Sequence, residues 1–235
     1  MSVGNRVFKK ICRPKPHFLA EFAQIPCANT ADTMSRSCAV NPRIRLMSNP
    51  SISIVAGPAL TVKTRAGDNL MIHAALEMIE PGDILVVGNE GDASRALMGE
   101  IMFTYARYMD VGAIVLDGPI RDVGAVRKMD FPIYATGSTP GGPYKEGPGE
   151  VNVPISCGNL AINPGDIMVC DPDGVIAIPF ADAKNVLANA RELSALDHSK
   201  VEAAAKGTAK RQWVGETLNS KNVEIIDARY DEQRD

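Results

Sequence analysis

Aromatic side chains are scarce in this chain: they make up 5% of 235 residues, with a single tryptophan. Long apolar runs are missing as well, and no window approaches the roughly 18 consecutive apolar residues of a membrane span. Neither sign of charge forms a long run, and 25 Lys and Arg against 28 Asp and Glu leave a formal net charge of −3. Phosphate neutralisation needs clustered cations, so nucleic acid is not expected as a ligand, nor is a membrane. The N-terminal segment is basic (Arg6, Lys9, Lys10, Arg13, Lys15) but lacks the apolar stretch of a signal peptide, and Pro14 and Pro16 break any amphipathic transit helix. The five cysteines, Cys12, Cys27, Cys38, Cys157 and Cys170, are odd in number and contain no C-x-x-C pair. That excludes a disulfide framework and leads us to expect reduced, mostly buried thiols in a cytoplasmic protein. The three histidines, His17, His73 and His198, lack the spacing of a zinc site.

Glycine and proline are the residues in mild excess, with 20 and 16 copies. Turn-rich folds of many short elements have such compositions, and a chain of this length can bury a core without staples. Asn29–Thr33 reads as a turn leading into a short helix. Ile52–Thr64 reads as a strand interrupted by Gly57-Pro58. Asp68 and Asn69 are suited to cap a helix bearing Leu70, Ile72, Ala75, Leu76 and Ile79 at helical spacing. Pro81-Gly82-Asp83 turns the chain into a strand at Ile84–Val87, and a helix from about Gly99 to Asp110 follows, with Met102, Tyr105, Ala106 and Met109 on one face. Ala113–Leu116 is continuously apolar and too short for most helices, which predicts a strand buried on both faces. Phe131–Ala135 is a further strand, and 137–150 is dense enough in Gly and Pro to read as a flexible or subunit-contacting loop; it lacks the lysine placement of a phosphate-binding loop. Residues 181–206 are helical by propensity, and the last 20 or so read as a loose arm or partner-contacting segment. Pro81-Gly82-Asp83-Ile84-Leu85-Val86 returns as Pro164-Gly165-Asp166-Ile167-Met168-Val169, either as two similar turn–strand units or as a duplicated half-domain.

The chemistry concentrates between the helix start at Gly99-Glu100 and the segment after Leu116, which runs Asp117-Gly118-Pro119-Ile120-Arg121-Asp122. Polar residues just past a buried strand are where α/β proteins place their sites. An adjacent Arg and Asp can bind a carboxylate and a hard metal together.

Gly99-Glu100, twenty intervening residues, then Arg121-Asp122-Val-Gly124 strongly resembles the signature of the RraA-like family. That family includes class II 4-hydroxy-4-methyl-2-oxoglutarate and 4-carboxy-4-hydroxy-2-oxoadipate aldolases with oxaloacetate decarboxylase activity, and the regulator of ribonuclease E activity. The resemblance covers roughly residues 20–205. It implies an α/β fold, an α-β-β-α sandwich resembling the swivelling phosphohistidine-like domain, assembled as a homotrimer or dimer of trimers. On it rests a division into an N-terminal extension (1–17), an aldolase domain (18–206) and a C-terminal arm (207–235). Asp122 matches the direct ligand to Mg²⁺ or Mn²⁺, and Arg121 the substrate-binding arginine. Gly99, Glu100, Ile101 and Met102 match the helix start whose amides hold a small 2-oxo acid, a role that free N–H groups and the helix dipole favour. Glu100 stands where characterised aldolases often have Asp. The family's acid supplied by a neighbouring subunit matches Asp197, or else Glu192. Two other functions stay open: a protein-binding regulator of ribonuclease E without catalysis, and an enzyme acting on a sugar-acid-like substrate. A methyltransferase reading finds no glycine-rich nucleotide motif after a strand.

Overall fold

A computed structural model describes residues 3–230. The chain runs through β1 (Asn5–Val7), α1 (Pro16–Phe22), α2 (Cys27–Asp32), β2 (Arg45–Leu46), β3 (Val55–Thr64), α3 (Leu70–Leu76), β4 (Ile84–Gly88) and α4 (Glu100–Tyr108). It continues through β5 (Ala113–Leu116), β6 (Pro119–Ile120), α5 (Val123–Val126), β7 (Ile133–Ala135), β8 (Gly137–Ser138), β9 (Gly149–Val151) and β10 (Ile155–Cys157). Then come β11 (Leu160–Ile162), β12 (Ile167–Asp171), β13 (Gly174–Ile178), α6 (Ala183–Ala205) and α7 (Gln212–Ser220). These elements fall into two compact units, one through Ser194 and one from Ala195 onward. Among the described residues no helix is long and apolar enough to cross a membrane.

The layering of the first unit follows from the period of two along each strand. In β4, Leu85 and Val87 join a core shared with α3 and α4, while Ile84 and Val86 face a second core. β5 divides the same way, with Ile114 and Leu116 on one side and Ala113 and Val115 on the other. The second core is closed by Met168 and Cys170 of β12 and by Val175 and Ala177 of β13. The opposite faces of those strands (Ile167, Val169, Ile176, Ile178) pack in a third core with Phe22 and Cys27, and with Val186, Leu187 and Ala190 of α6. Three cores between four layers give the α-β-β-α sandwich. Strands β3, β4, β5 and β7 run parallel in the central sheet.

β3 is the junction. Val55–Pro58 pair antiparallel with β12, Ala59–Lys63 pair parallel with β4, and Val62–Thr64 pair with β9. Gly57-Pro58 therefore does not interrupt the strand, contrary to expectation. Gly57 is needed because a Cβ there would stand 2.2 Å from the Gly82 carbonyl oxygen. The sequence echo is also a structural one. Asp83 Oδ2 accepts the Glu80 N–H at 3.0 Å, and Asp166 Oδ2 accepts the Asn163 N–H at 2.8 Å, with Gly82 and Gly165 at φ 85° and 86°.

Several local readings are corrected. Asn29–Asp32 lies inside helix α2, whose start is set by Pro26 and Cys27 rather than by a turn. Asn69 occupies the cap position of α3, but the Leu70 N–H is taken by the carboxylate of Asp68, and Asn69 instead donates to the Leu97 carbonyl. On α4 the buried face is Met102, Phe103 and Ala106, and Tyr105 is partly exposed. The 137–150 stretch is not all loop: Gly137–Ser138 pairs with β6, and Gly149–Val151 enters the main sheet between β1 and β3. The second unit carries helix α7, whose residues are not buried and whose Trp213 is exposed. Four of the five cysteines are buried and all are free; burial pushes the Cys27, Cys157 and Cys170 thiols up, well away from the reactive range.

The two glycines of the junction separate steric from conformational cost. Gly57→Ala meets backbone and should destabilise by about 3 kcal/mol. Gly82→Ala meets nothing but keeps a left-handed φ, and should cost only about 1 kcal/mol. Urea unfolding midpoints of the two variants test the order.

Candidate active site

The site is built where β4 and β5 end. The chain leaving β4 returns through Leu97 and Met98 alongside β6, with the Leu97 N–H donating to the Pro119 carbonyl and the Arg121 N–H to the Met98 carbonyl. That pairing delivers Arg121 and Asp122 against the start of α4. The Glu100 N–H donates to Asp122 Oδ2 at 2.9 Å, and Arg121 Nε lies 3.7 Å from the same oxygen. Gly99 makes the approach possible: a Cβ would stand 2.4 Å from Asp122 Oδ2 and 2.9 Å from Arg121 Nε. Asp122 itself sits in the left-handed region, φ 61° and ψ 36°, which Asp tolerates better than most residues.

Arg121 borders two hollows. One, of about 250 Å³, is lined by Gly99, Ile101 and Met102 from the α4 start, Asn69 and His73 from α3, and Gly142, Pro143 and Lys145 from the loop before β9, with Leu97 and Met98 completing it. The other, of about 350 Å³, holds Arg121, Asp122, Val123, Ser138, Thr139 and Pro140. The first contains two permanent cations, and no carboxylate is among its lining side chains. Such a cavity is complementary to an anion, and the free amides of the α4 start add to that preference.

Of the residues singled out from sequence, Gly99, Ile101, Met102, Arg121 and Asp122 come together. Glu100 joins them through its backbone amide, while its side chain is exposed and does not line the cavity. Asp197 lies on α6 in the second unit, where Lys200 Nζ stands 2.8 Å from its carboxylate. Glu192 is exposed on α6 and lines neither hollow. Asp117, in the same strand-end segment, faces elsewhere: Arg43 donates to both its oxygens through Nε and Nη2, and the Gly158 N–H adds a further bond. It braces the β5 end against the β10–β11 hairpin.

Asn69, His73 and Lys145 were not legible as site residues. Asn69 and His73 are one helical turn apart, which is the only sequence signal, and Lys145 is 72 residues further on. Burial, with help from the charge of Lys145, pushes the His73 imidazole below its ordinary value, against a smaller opposing effect of Glu77.

One protein group is suited to a hard cation. Asp122 Oδ2 is engaged by the Glu100 amide, whereas Oδ1 has no hydrogen-bond partner among the described residues and the side chain is 42% exposed. No group of three or more His, Cys, Asp and Glu that could hold a metal occurs among the described residues. An ion at Asp122 would therefore take most of its oxygens from water and ligand, as Mg²⁺ commonly does.

Sandwich and site together define a class: an α/β protein with a cation-lined cavity at the parallel-strand ends. An RraA-like (Aldolase/RraA) family model matches residues 27–177, and the chain belongs to that family. It is 37% identical over 186 residues to a protein of Halalkalibacterium halodurans named "Putative 4-hydroxy-4-methyl-2-oxoglutarate aldolase", covering 79% of this chain and 88% of that one. Streptomyces coelicolor RraAS2, described as an unusual member of the RNase ES inhibitor RraA protein family, is 27% identical with a TM-score of 0.70, covering 84% of this chain and 99% of that one. An uncharacterized protein from Pseudomonas syringae shares the fold, at TM-score 0.72 and 23% identity, over 83% and 96% of the two chains.

The His73 shift gives a test of cavity electrostatics. Its folded value lies below the unfolded one, so the stability it contributes is complete above about pH 6.5 and is lost as pH falls through the folded value. In an NMR titration the His73 midpoint should lie below that of an exposed histidine and move up in Lys145→Ala, because one of the two effects depressing it is removed.

Proposed function

We propose that the protein is a divalent-metal-dependent aldolase that cleaves 4-hydroxy-2-oxo diacids, of the 4-hydroxy-4-methyl-2-oxoglutarate and 4-carboxy-4-hydroxy-2-oxoadipate type, to pyruvate and a second oxo acid. Oxaloacetate decarboxylation would use the same site. The observation that carries this reading is a single cavity lined by Arg121 and Lys145 without a carboxylate, next to Asp122. Two cations at one cavity suit a substrate with two carboxylates. The name of the 37% identical relative supports the aldolase class.

Asp122 would hold Mg²⁺ or Mn²⁺, and the cation when bound supplies Lewis-acid polarisation of the 2-oxo group. The remaining work belongs to the chain. The amides of Gly99, Ile101 and Met102 and the Arg121 guanidinium bind the oxo-acid end, and Lys145 attracts the distal carboxylate. When the C3–C4 bond breaks, its electron pair passes to the C2 oxygen as an enolate, and Arg121 is placed to stabilise that charge. The C4 hydroxyl proton must leave in the same step. A water oriented by Glu100, or by Asp197 from the C-terminal helix of a neighbouring copy in a homotrimer or dimer of trimers, takes it. Protonation at C3 then yields pyruvate. Loss of CO₂ from oxaloacetate gives the same enolate without a hydroxyl proton to remove.

The likeness to RraAS2 supports a second reading, a surface that restrains a ribonuclease. The two readings separate in one set of assays. The aldolase reading expects pyruvate release from oxaloacetate and from a 4-hydroxy-2-oxo diacid with Mg²⁺ or Mn²⁺, stopped by EDTA and reduced at least about 100-fold in Asp122→Ala, in keeping with the loss of an essential electrostatic group. Borohydride added with pyruvate should leave activity intact, since Lys145 acts by charge and forms no imine. Tight ribonuclease capture with no turnover of either oxo acid would favour the regulator.

A further inference from the structure

Asp68 is an acidic residue with no exposure at all, and it lines neither of the hollows that Arg121 borders. Its carboxylate ties together segments distant in sequence. Oδ1 accepts the Leu70 N–H at 2.9 Å, at the start of α3. Oδ2 accepts the Glu146 N–H at 2.7 Å and the Gly147 N–H at 2.9 Å, with Arg65 Nη2 at 3.4 Å. The Asp68 carbonyl accepts the Thr64 hydroxyl, fastening the whole assembly to the end of β3. Helix α3 and the 145–147 loop carry Asn69, His73 and Lys145, the polar half of the cavity away from Asp122.

The other half is anchored independently. Arg121 is held by the Met98 carbonyl and Asp122 by the Glu100 amide, and no hydrogen bond joins either to Asp68. Separate ties hold the 142–144 end of the loop: Tyr144 exchanges backbone bonds with Gly67 and Asn69, and Arg95 donates to the Gly142 carbonyl. The Lys145 end thus depends on Asp68 more than the rest of the loop does. A buried carboxylate accepting several N–H bonds is a stiff clamp, because releasing it would strand both charge and donors.

We infer that Asp68 is a positioning residue that sets the reach of Lys145 across the cavity and so selects 2-oxo diacids over shorter anions. This rests on the diacid reading given above. The two halves can be probed with ligands of different length: oxalate, which needs only the Arg121 half, and 2-oxoglutarate, which extends toward Lys145.

Isothermal titration of the full chain with both anions in Mg²⁺ tests it. Wild-type protein should bind both. Asp68→Asn keeps the volume but replaces one accepting oxygen by an NH₂ group, which faces backbone N–H donors whichever way the amide turns, and it removes the charge that holds the clamp. It should weaken 2-oxoglutarate about tenfold, leave oxalate within about twofold, and speed hydrogen exchange at residues 146 and 147. Gly147→Ala is the second variant should Asp68→Asn fail to fold. Gly147 has φ +67°, and a Cβ there meets only Leu70 Cδ2 at 3.5 Å and its own loop at Gly149, so it strains the loop end without touching the carboxylate. The same split is expected of it. Equal weakening of both anions, or of neither, overturns the positioning role while leaving the diacid reading in place. A wild-type protein that fails to bind 2-oxoglutarate brings down the diacid reading and this inference with it.

Discussion

The constraint on which the molecule depends is that β3 belongs to two layers at once. Its first four residues pair with β12 and the following five with β4. At the handover the chain must pass under two turns of the same design. The Gly82 carbonyl presses on Gly57, while the Asp166 carbonyl and the Gly165 N–H bond to Ala59. The repeated Pro-Gly-Asp segment is therefore the device that lets two sheets share a strand. Each Asp closes its own turn with a local N–H, and each positive-φ glycine reverses the chain without crowding its neighbour. Whether or not a duplication lies behind it, the repetition has this physical use.

Sharing β3 also fixes where a ligand can go. Parallel order through β3, β4 and β5 gathers the strand C-terminal ends on one edge, and both chain segments that build the site leave from there. What turns an ordinary strand end into a site is close approach. Without a side chain at Gly99, an amide of the helix start reaches Asp122 and Arg121 lies against the backbone. Asp117, five residues before Asp122, shows the contrasting use of the same edge. It is nearly buried, doubly bonded to Arg43, and structural.

Local rules carried much of the fold. The apolar runs at 84–87 and 113–116 became two-faced strands because their alternating residues feed two cores. The paired Arg121 and Asp122 stood out because cation and anion are adjacent in sequence as well as in space. Where local reading failed, a long-range partner had decided. Gly149–Val151 looks like the tail of a loop until β1 and β3 bracket it, and Gly57-Pro58 looks like a break until β12 and β4 meet there. His73, Asn69 and Lys145 escaped for the same reason: their shared direction comes from Asp68, whose bonds span 78 and 79 residues. A role for Asp197 in the site of a neighbouring copy concerns an assembly, and no pattern along one chain encodes its geometry.

The net charge of −3 shows how little composition says about such a site. Arg121 and Lys145 face one cavity while the acids near it are turned to other tasks: Asp68 to backbone amides, Asp117 to Arg43, and one oxygen of Asp122 to the helix start. His73 fits the arrangement, since its burial and the nearby charge of Lys145 both disfavour a third positive charge there. Each of these carboxylates is pinned by its bonds outside the cavity lining, so none projects into the space that Arg121 and Lys145 face. The cation-lined cavity of an acidic protein thus follows from where hydrogen bonds hold its carboxylates, and the same bonds that stabilise the fold keep acids out of that lining.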